Sequence, residues 1–302
     1  MTFSLSDILT KEEFQSLKSV NNTVALADLF KRLLLNTLLV WIMLQSSQFD
    51  FFLLLFFWYL YSFQYQFWGY VGLGHEALHS RIFSSRKANE VLYLICSALT
   101  WNNAAMFRDT HLLHHRSTFS VEDIEAESET RWFVWDIIGY ILIDIRALFR
   151  RTYHTLINSL GFYPNFSSLR SKYMFSARMT LLLNIFVYGF FYIITQNITV
   201  TLLLIIAPFS NSLAAKILAK AQHHGLDKFK DRDPLKFSRT LELPLWLRFL
   251  YANMNYHAEH HLSPVIPYYN LPKLHNLLKE KGLVHSQSLV GFLFNSAKTF
   301  KS

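Results

Sequence analysis

The stretch Met254–Pro267 reads M-N-Y-H-A-E-H-H-L-S-P-V-I-P and carries three histidines. At helical spacing, His257 and His261 lie about one turn apart on the same face, with His260 beside them. Imidazole is the commonest side-chain metal ligand near neutral pH. A single cluster of this kind arises easily by chance, so its meaning depends on what the rest of the chain contains.

The chain contains two further histidine clusters and a histidine pair. They are H-E-A-L-H at positions 75–79, H-L-L-H-H at positions 111–115, and His223-His224. We call the three longer clusters, in chain order, the first, second and third histidine boxes. Ten of the 13 histidines therefore stand in short clusters, and we interpret the others, His154, His275 and His285, as ordinary surface residues.

The number of clustered imidazoles predicts more than one metal ion. Eight or nine converging rings exceed the ligands of one tetrahedral zinc ion, so they suit two metals. An all-nitrogen ligand set suits iron, zinc, copper or nickel, and the spacing alone leaves the metal open.

Composition and charge placement predict a membrane protein. The chain is 52% hydrophobic and 17% charged, against about 25% charged in typical globular chains. No Lys or Arg lies between Leu33 and Ser80 or between Met179 and Ala215. In membrane proteins, Lys and Arg are concentrated in the loops on the cytoplasmic side. The same distribution disfavours a basic soluble protein that binds nucleic acid. The single cysteine, Cys96, leaves no internal disulfide and no thiolate metal site.

These patterns predict an all-α polytopic membrane protein with four transmembrane helices in two hairpins and a helical cytoplasmic cap. Both termini and all histidine boxes are then expected on the cytoplasmic side. The predicted boundaries are a cytoplasmic arm at 1–28, a first hairpin at 29–73, a cytoplasmic segment with interfacial helices at 74–178, a second hairpin at 179–215, and the cap at 216–302.

The sequence also predicts the structure of several connecting segments. The far-side turns are predicted at Ser46–Asp50 and near Gln196-Asn197, with the last span at Ile198–Ala214. Ala88–Met106 is predicted to be a partly inserted or re-entrant segment, and Trp132–Phe149 to be an amphipathic interfacial helix. Two loops are expected. They are Gly161–Lys172 and the acidic stretch Arg116–Arg131, which contains Glu122, Asp123, Glu125, Glu127 and Glu129.

Taken together, the boxes resemble those of a known superfamily. In this order, behind two membrane hairpins, they are similar to the membrane fatty-acid desaturase and hydroxylase superfamily. The tail N-Y-H-A-E-H-H-L-S-P-V-I-P-Y-Y-N-L-P-K-L-H at positions 255–275 resembles its compact bacterial-type members. The resemblance spans roughly Trp68 to Leu278 and implies a di-iron centre that activates O2 and removes hydrogen from an unactivated C–H bond.

The resemblance also implies a ligand set. Many members have a further histidine after a glutamate, and here Ala221-Gln222-His223 occupies that place, so His223 is the predicted ninth ligand and His224 its alternative. Candidates close to the metals are Asn255, by a water-mediated contact, and Glu76, with Asp109 and Glu259 orienting rings by accepting their second N–H. The predicted metal ligands are His75, His79, His111, His114, His115, His223, His257, His260 and His261.

The implied reaction introduces a double bond into a fatty acyl chain or acyl lipid. Carotenoid ketolases, carotenoid hydroxylases and other lipid hydroxylases of the superfamily use the same boxes and remain alternatives. The chain shows no flavin or haem motif, so electrons are expected from a separate donor of the ferredoxin or cytochrome b5 type. A basic segment can dock an acidic carrier, although positive-inside topology explains the same charges. Its residues are Lys228, Lys230, Arg232, Lys236 and Arg239.

Two rival interpretations compete with this one. The first box also matches H-E-x-x-H, in which Glu76 would be the general base of a membrane zinc protease. That function leaves the other two boxes unused. A non-catalytic relative would have lost ligands, whereas every expected box histidine is present.

Overall fold

The computed structural model describes residues 5–123, 125, 133–162, 170–226 and 233–299. Helices dominate it, and one small parallel ladder joins β1 (Thr240–Glu242) to β2 (Ser286–Ser288), a minor departure from the all-α prediction. The α-helices are α1 Lys11–Lys18, α2 Asn22–Ser46, α3 Phe51–Tyr65, α4 Leu73–Leu78, α5 Arg86–Leu99, α6 Ala104–Ser117, α7 Val134–Ile141, α8 Ile145–Ser159, α9 Arg170–Thr195, α10 Ile198–Ile206, α11 Leu213–Ala221, α12 Pro234–Phe237, α13 Leu245–Leu250, α14 His257–Leu262, α15 Leu271–Glu280 and α16 Leu289–Thr299.

The first hairpin consists of α2 and α3. Asn21 caps α2, so this helix starts several residues before position 29. The chain reverses between Ser46 and Asp50, where the sequence places the turn, and the Asp50 carboxylate caps α3 by accepting the Leu53 N–H at 2.9 Å. A polar residue that accepts an orphan N–H is the usual start of a helix, which explains why the apolar run is interrupted here.

The second hairpin differs from its prediction. α9 begins at Arg170, inside the segment expected to be a loop, and α10 ends at Ile206. Ala207–Phe209 is a short 3-10 helix containing Pro208. Proline lacks the N–H that a continuing helix needs. The 12 helical residues Ile198–Phe209 cover about 18 Å, short of the ~30 Å hydrocarbon thickness. The predicted span Ile198–Ala214 is therefore interrupted after Ile206 and is not one regular helix.

Among the described helices, α9 alone is long and apolar enough to cross a membrane. Large apolar side chains are nevertheless exposed along α2, α3 and α9. Apolar surface of this extent marks a membrane or protein contact. The exposed residues include Phe30, Trp41, Phe52, Phe56, Leu182, Phe186, Phe190 and Ile193.

The two hairpins reverse at the same end of the helix bundle. Asn197, which caps α10 by accepting the Val200 N–H at 3.0 Å, donates its side-chain amide to Ser47 Oγ at 2.7 Å. The two turns therefore touch. This contact leaves the opposite end of the bundle for the histidine boxes.

α5 and α6 form a helix–turn–helix whose turn, Thr100–Asn103, packs against α9. The Asn184 amide donates to the Ala98 carbonyl at 2.7 Å, and the Thr180 hydroxyl donates to the Asn102 carbonyl at 3.2 Å. Thr180 and Asn184 are one helical turn apart, so α9 presents a polar stripe to this turn. Such pairing is needed when irregular backbone lies among apolar helices.

The predicted interfacial helix is two helices. α7 ends at Ile141 and α8 begins at Ile145, because Asp144 caps α8 by accepting the Ala147 N–H at 2.9 Å. The intervening backbone pairs with the second hairpin through an antiparallel bridge between Ile143 and Ser210.

The cap is fastened to α2 by a buried arginine. Arg32 is 2% exposed, pairs with Asp28 at 2.8 Å and donates to the Leu250 carbonyl at 3.0 Å. Tyr268 donates its hydroxyl to the same Asp28 carboxylate at 2.5 Å. A buried charge must be paired to be tolerated, so these contacts fix where the cap sits.

Candidate metal centre

The first box lies on α4, which packs tightly against the turn before it. A Cβ at Gly72 would meet the Phe67 carbonyl oxygen at 2.2 Å, and one at Gly74 would meet the Trp68 and Gly69 carbonyl oxygens at 2.9 Å. Only glycine fits such close backbone approach. The result is a short helix that holds His75 at 5% exposure.

The second box occupies the end of α6 and the third box the whole of α14. Successive residues of a helix point about 100° apart. Adjacent histidines therefore face different directions, and each of these two boxes supplies ligands to two places.

The structure brings nine histidines together in two groups, and within each group the candidate ligand atoms lie within 4.8 Å of one another. The groups adjoin, since the rings of His115 and His261 have centroids 4.3 Å apart. The first group is His75, His79, His111, His115 and His260, and the second is His114, His223, His257 and His261.

Of the adjacent pair His223-His224, His223 joins the second group. Its Nε2 lies 2.9 Å from His257 Nε2 and 3.2 Å from His114 Nε2. The ring of His224 instead packs edge-on against Phe292, with centroids 6.3 Å apart. The neighbouring Gln222 donates its amide to the Tyr251 hydroxyl at 2.8 Å.

Two rings of the second group are oriented by acceptors behind them. His114 Nδ1 donates to the Asp123 carboxylate at 3.0 Å, and His223 Nδ1 donates to the Phe237 carbonyl at 2.8 Å. Because Nδ1 of each ring faces an acceptor, Nε2 is the nitrogen that can present a lone pair to the group.

Two rings of the first group are held in the same manner. His75 Nδ1 donates to the Tyr70 carbonyl at 3.2 Å, and His111 Nδ1 donates to Glu125 at 2.8 Å. The Thr110 hydroxyl also donates to Glu125, at 2.9 Å. A carboxylate or carbonyl behind a histidine is the usual support of a metal-binding ring.

The Nε2 spacings fit metal binding. His114 and His223 direct lone pairs at each other across 3.2 Å, and Nε2 atoms of His75 and His260 are 3.0 Å apart. Lone pairs this close repel unless a cation lies between them. Two nitrogens bound about 2.1 Å from one ion at right angles are ~3.0 Å apart, so the observed contacts match neighbouring ligands of one ion.

Burial favours the neutral form of several of these rings, the form in which histidine binds a metal. Desolvation lowers the pKa of His75 and His223 to about 3, with smaller contributions from the neighbouring rings His260 and His114 respectively. Desolvation and further imidazoles also hold the pKa of His257 and His261 well below the ordinary value. A cluster of neutral buried imidazoles offers its lone pairs to a cation at neutral pH.

The supporting carboxyl groups differ in their pKa. Burial raises the pKa of Glu125 and of Glu76 to about 7, against the opposing effects of His114 and His75 respectively. Burial also acts to raise the pKa of Asp123, but the hydrogen bond from His114, the electrostatic interaction with that ring and the N–H groups of Phe119 and Glu125 lower it overall.

The predicted supporting residues lie in different places. Glu76 Oε1 is 3.1 Å from His260 Nδ1, at an angle that forms no hydrogen bond. Asn255 donates its amide to the Leu241 carbonyl at 2.9 Å, which ties it to β1. Its water-mediated role stays a prediction.

Asp109 and Glu259 do not orient the clustered rings. Asp109 binds Lys172 at 2.6 Å and the Tyr173 hydroxyl at 2.9 Å. It stands two residues before His111, and helical residues at that spacing face apart. Glu259 accepts from His275 Nδ1 at 2.6 Å, so that expectation is wrong for both carboxylates.

The sequence interpretation missed three functional candidates. Asp123 and Glu125 were expected in a surface loop, yet this loop returns to the rings of His114 and His111. His275 was interpreted as a surface residue, but it is 6% exposed and paired with Glu259, which is fully buried. The spacing of Leu271, Leu274, His275 and Leu278 on α15 puts that histidine on an apolar face and was a readable signal.

Parts of the expected surface lie outside the described residues, namely Trp132, Glu127, Glu129, Lys228, Lys230 and Arg232. Of the basic segment, Lys236 lies 3.5 Å from Asp233, and Arg239 donates to the His224 carbonyl at 3.1 Å. His154 and His285 are exposed, as expected.

Comparison with known proteins assigns the family. The family model for fatty acid desaturases matches residues 50–289, a stretch that contains all three boxes and His223. No curated protein sequence matches the chain. The matched region covers most of the 302 residues, and the chain belongs to the fatty acid desaturase family, whose members are membrane-associated oxidoreductases.

Proposed function

We propose that this member of the fatty acid desaturase family is a di-iron, O2-dependent membrane enzyme that introduces a double bond into a fatty acyl chain or acyl lipid. The observation that carries the proposal is the pair of adjoining histidine groups. Their number, burial and spacing suit two ions, and membership of the fatty acid desaturase family supports iron among the metals that imidazole binds.

Each group would hold one ion through the Nε2 atoms that face it. Asp123 and the Phe237 carbonyl fix two rings of the second group, and Glu125 and the Tyr70 carbonyl fix two rings of the first. Fixed rings leave little reorganisation for metal binding. When bound, the two irons supply the redox chemistry by which O2 is reduced.

The overall reaction needs a reductant. Removing two hydrogen atoms from a saturated chain supplies two electrons, and reducing O2 to two waters needs four. The other two electrons, with two protons, must come from a separate carrier, which we propose to be of the ferredoxin or cytochrome b5 type. Basic residues on the cap, such as exposed Lys236, would attract an acidic carrier.

A half-open pocket between helices supports an apolar chain as the substrate. It has a volume of about 240 Å³ and lies among α2, α3, α5, α9 and α10. Leu33, Ile95, Leu99 and Leu204 contribute apolar lining, and Trp68, from the turn that leads into α4, lines it too. A cavity of this polarity suits methylene groups better than a polar substrate.

The proposed topology has two hairpins in the membrane, with the cap and both termini on the cytoplasmic side. The joined far-side turns and the exposed apolar surface of α2, α3 and α9 support it. The absence of Lys and Arg from both hairpin stretches agrees with this orientation. The shorter helices α3 and α10 would span only together with the irregular segments that follow them.

The zinc-protease alternative fits poorly. Its general base would have to reach a metal-bound water, whereas Glu76 lies beside Nδ1 of His260, the ring nitrogen that faces away from the group. The box histidines of that motif also share their group with three further histidines. Hydroxylation or ketolation of a lipid or carotenoid would use the same centre, so only the product distinguishes it from desaturation.

Lipid profiling of a host that expresses the chain tests the proposal. We expect new unsaturated acyl chains with the wild type and none with His260→Ala, which removes a ring of the first group. His285→Ala, at an exposed position, is the matched control and should behave as wild type. An unchanged acyl profile, or the appearance of hydroxylated products instead, would contradict the proposed reaction.

A further inference from the structure

A second, half-open cavity lies away from the clustered histidines. It has a volume of about 760 Å³ and forms where α7, α8 and the start of α11 meet. None of the nine clustered histidines lines it. The proposed reaction therefore gives this cavity no role.

The cavity combines apolar walls with an excess of positive charge. Its charged lining residues are three cations and two carboxylates, which leaves one positive charge uncompensated. Ile138, Leu142 and Ile143 supply apolar walls, and Trp135 and Tyr140 add aromatic ones. Such a mixture suits an amphipathic ligand that carries one negative charge.

Ion pairs occupy two of the three cations. Arg146 lies 2.8 Å from Asp136, and Lys216 lies 3.3 Å from Asp144. The Lys216 ammonium also lies 4.1 Å from the centre of the Tyr140 ring. These contacts hold the two cations in place at the edges of the cavity.

Arg150 is the remaining cation. Within the part of the chain that the structure describes, no carboxylate lies within ion-pair distance of its guanidinium. It stands four residues after Arg146, so both project from the same face of α8. Two neighbouring guanidinium groups, one without a carboxylate partner, form a good phosphate site because guanidinium donates in a geometry that matches phosphate oxygens.

The surface around the cavity is apolar and exposed. Phe133 is 69% exposed, Leu142 and Ile145 are each 59% exposed, and Phe149 is 68% exposed. Helices with such apolar faces beside basic residues lie in the membrane interface, at the level of the lipid headgroups. A ligand that reaches this cavity would therefore come from the lipid leaflet.

We infer that this cavity binds a membrane phospholipid, with the phosphodiester against Arg150 and Arg146 and the acyl chains along the exposed apolar side chains of α7 and α8. The single uncompensated positive charge matches a phosphodiester, which carries one negative charge. A nucleotide with several phosphates would bring far more charge than the lining neutralises. The site is separate from the metal centre and does not depend on the proposed reaction.

Two variants test the site by different routes. Arg150→Gln removes the unpaired charge. Gly139→Leu fills the cavity without changing its charge, and its added Cβ would meet only the Asp144 Cα, at an ordinary 3.9 Å. Lys87→Gln, an exposed cation on α5, is the matched control for loss of a positive charge.

Native mass spectrometry of the full chain in detergent provides the measurement. The probes are phosphatidylglycerol, diacylglycerol, which lacks the phosphate, and inorganic phosphate. Wild type and Lys87→Gln should retain one phosphatidylglycerol. Arg150→Gln should bind it about tenfold more weakly, the usual effect of losing a charge-assisted hydrogen bond, and Gly139→Leu should also weaken it. Diacylglycerol should not be retained.

Three results would overturn the inference. One is unchanged phosphatidylglycerol binding in both variants, and another is equal retention of diacylglycerol. The third is displacement of the lipid by millimolar inorganic phosphate, which would indicate a free-anion site. The circular dichroism spectrum of each variant reports correct folding. If Arg150→Gln fails to fold, Gly139→Leu, which leaves the charge unchanged, decides the question.

Discussion

The two histidine groups of this chain differ in how closed they are. All four rings of the second group are buried, and the Asp123 side chain behind His114 is fully buried as well. The first group has five rings, of which His79 and His115 are only partly buried, and Glu125 behind it is 23% exposed. Closed sites are typical of structural metals, whereas catalytic metals keep an accessible position.

This difference teaches where each ion would contribute. If each group binds one ion, the buried second group would retain its ion more firmly, and the partly exposed first group would be the more accessible to a small molecule such as O2. His114 and His115 are adjacent, as are His260 and His261, so α6 and α14 each carry rings of both groups. Single substitutions in either group can therefore test whether this difference in burial matters.

The largest expected effect comes from removing a ligand of the closed group. His114→Ala deletes the ring that contacts both His223 and His261, and we expect it to lose activity below detection and to lose the second group's ion. His79→Ala leaves four rings in the first group and should keep more metal. Metal content per chain and unsaturated acyl content are the measurements. Equal metal loss in the two variants would end the contrast between the groups.

The next effect concerns the carboxylates behind the rings. Asp123→Asn should lower metal affinity about 10- to 100-fold, the usual cost of losing a carboxylate behind a ligand ring. Asp123 accepts from His114 and also from the Phe119 and Glu125 N–H groups, so the substitution disturbs both the ring and the loop that positions it. Glu125→Gln should cost less, since Glu125 is partly exposed and the amide oxygen still accepts from His111. Competition with a chromophoric chelator measures both affinities. A larger loss in Glu125→Gln would reverse the order predicted from burial.

The two groups should also differ in how fast they lose metal. With a chelator in excess, we expect two phases of iron loss, the faster one from the more accessible first group. His79→Ala should accelerate only the fast phase. A single phase for wild type, with both ions leaving together, would mean that the groups behave as one site.

The smallest effect is expected from the buried support of α14. His275→Gln leaves the Glu259 carboxylate, which also accepts from Thr240, with a weaker partner. We expect about 1–3 kcal/mol of lost stability, seen as a lower melting temperature. Because α14 supplies rings to both groups, the metal affinity of both groups should fall by the same factor. His285→Gln, at an exposed position, is the control and should behave as wild type. Loss from one group alone would show that Glu259 supports a particular ring instead.

The sequence predicted which histidines cluster far better than it predicted the residues that accept hydrogen bonds from their rings. Box spacing predicted which rings share a helix face, and an apolar run with a polar break located the Ser46–Asp50 turn. Asp123 and Glu125 escaped prediction because their role arises only when a loop folds back on α6, 9 and 14 residues after their partners. Pro208 was a readable signal of the break after α10, but apolar composition outweighed it.

Metal analysis of the wild type, His223→Ala and His224→Ala tests the central claim most directly, that rings from distant parts of the chain form two metal sites. We predict two irons per chain for the wild type and for His224→Ala, and clear loss of the second group's iron in His223→Ala. A single zinc in the wild type, no iron bound when iron is supplied, or equal metal loss in both variants would contradict it.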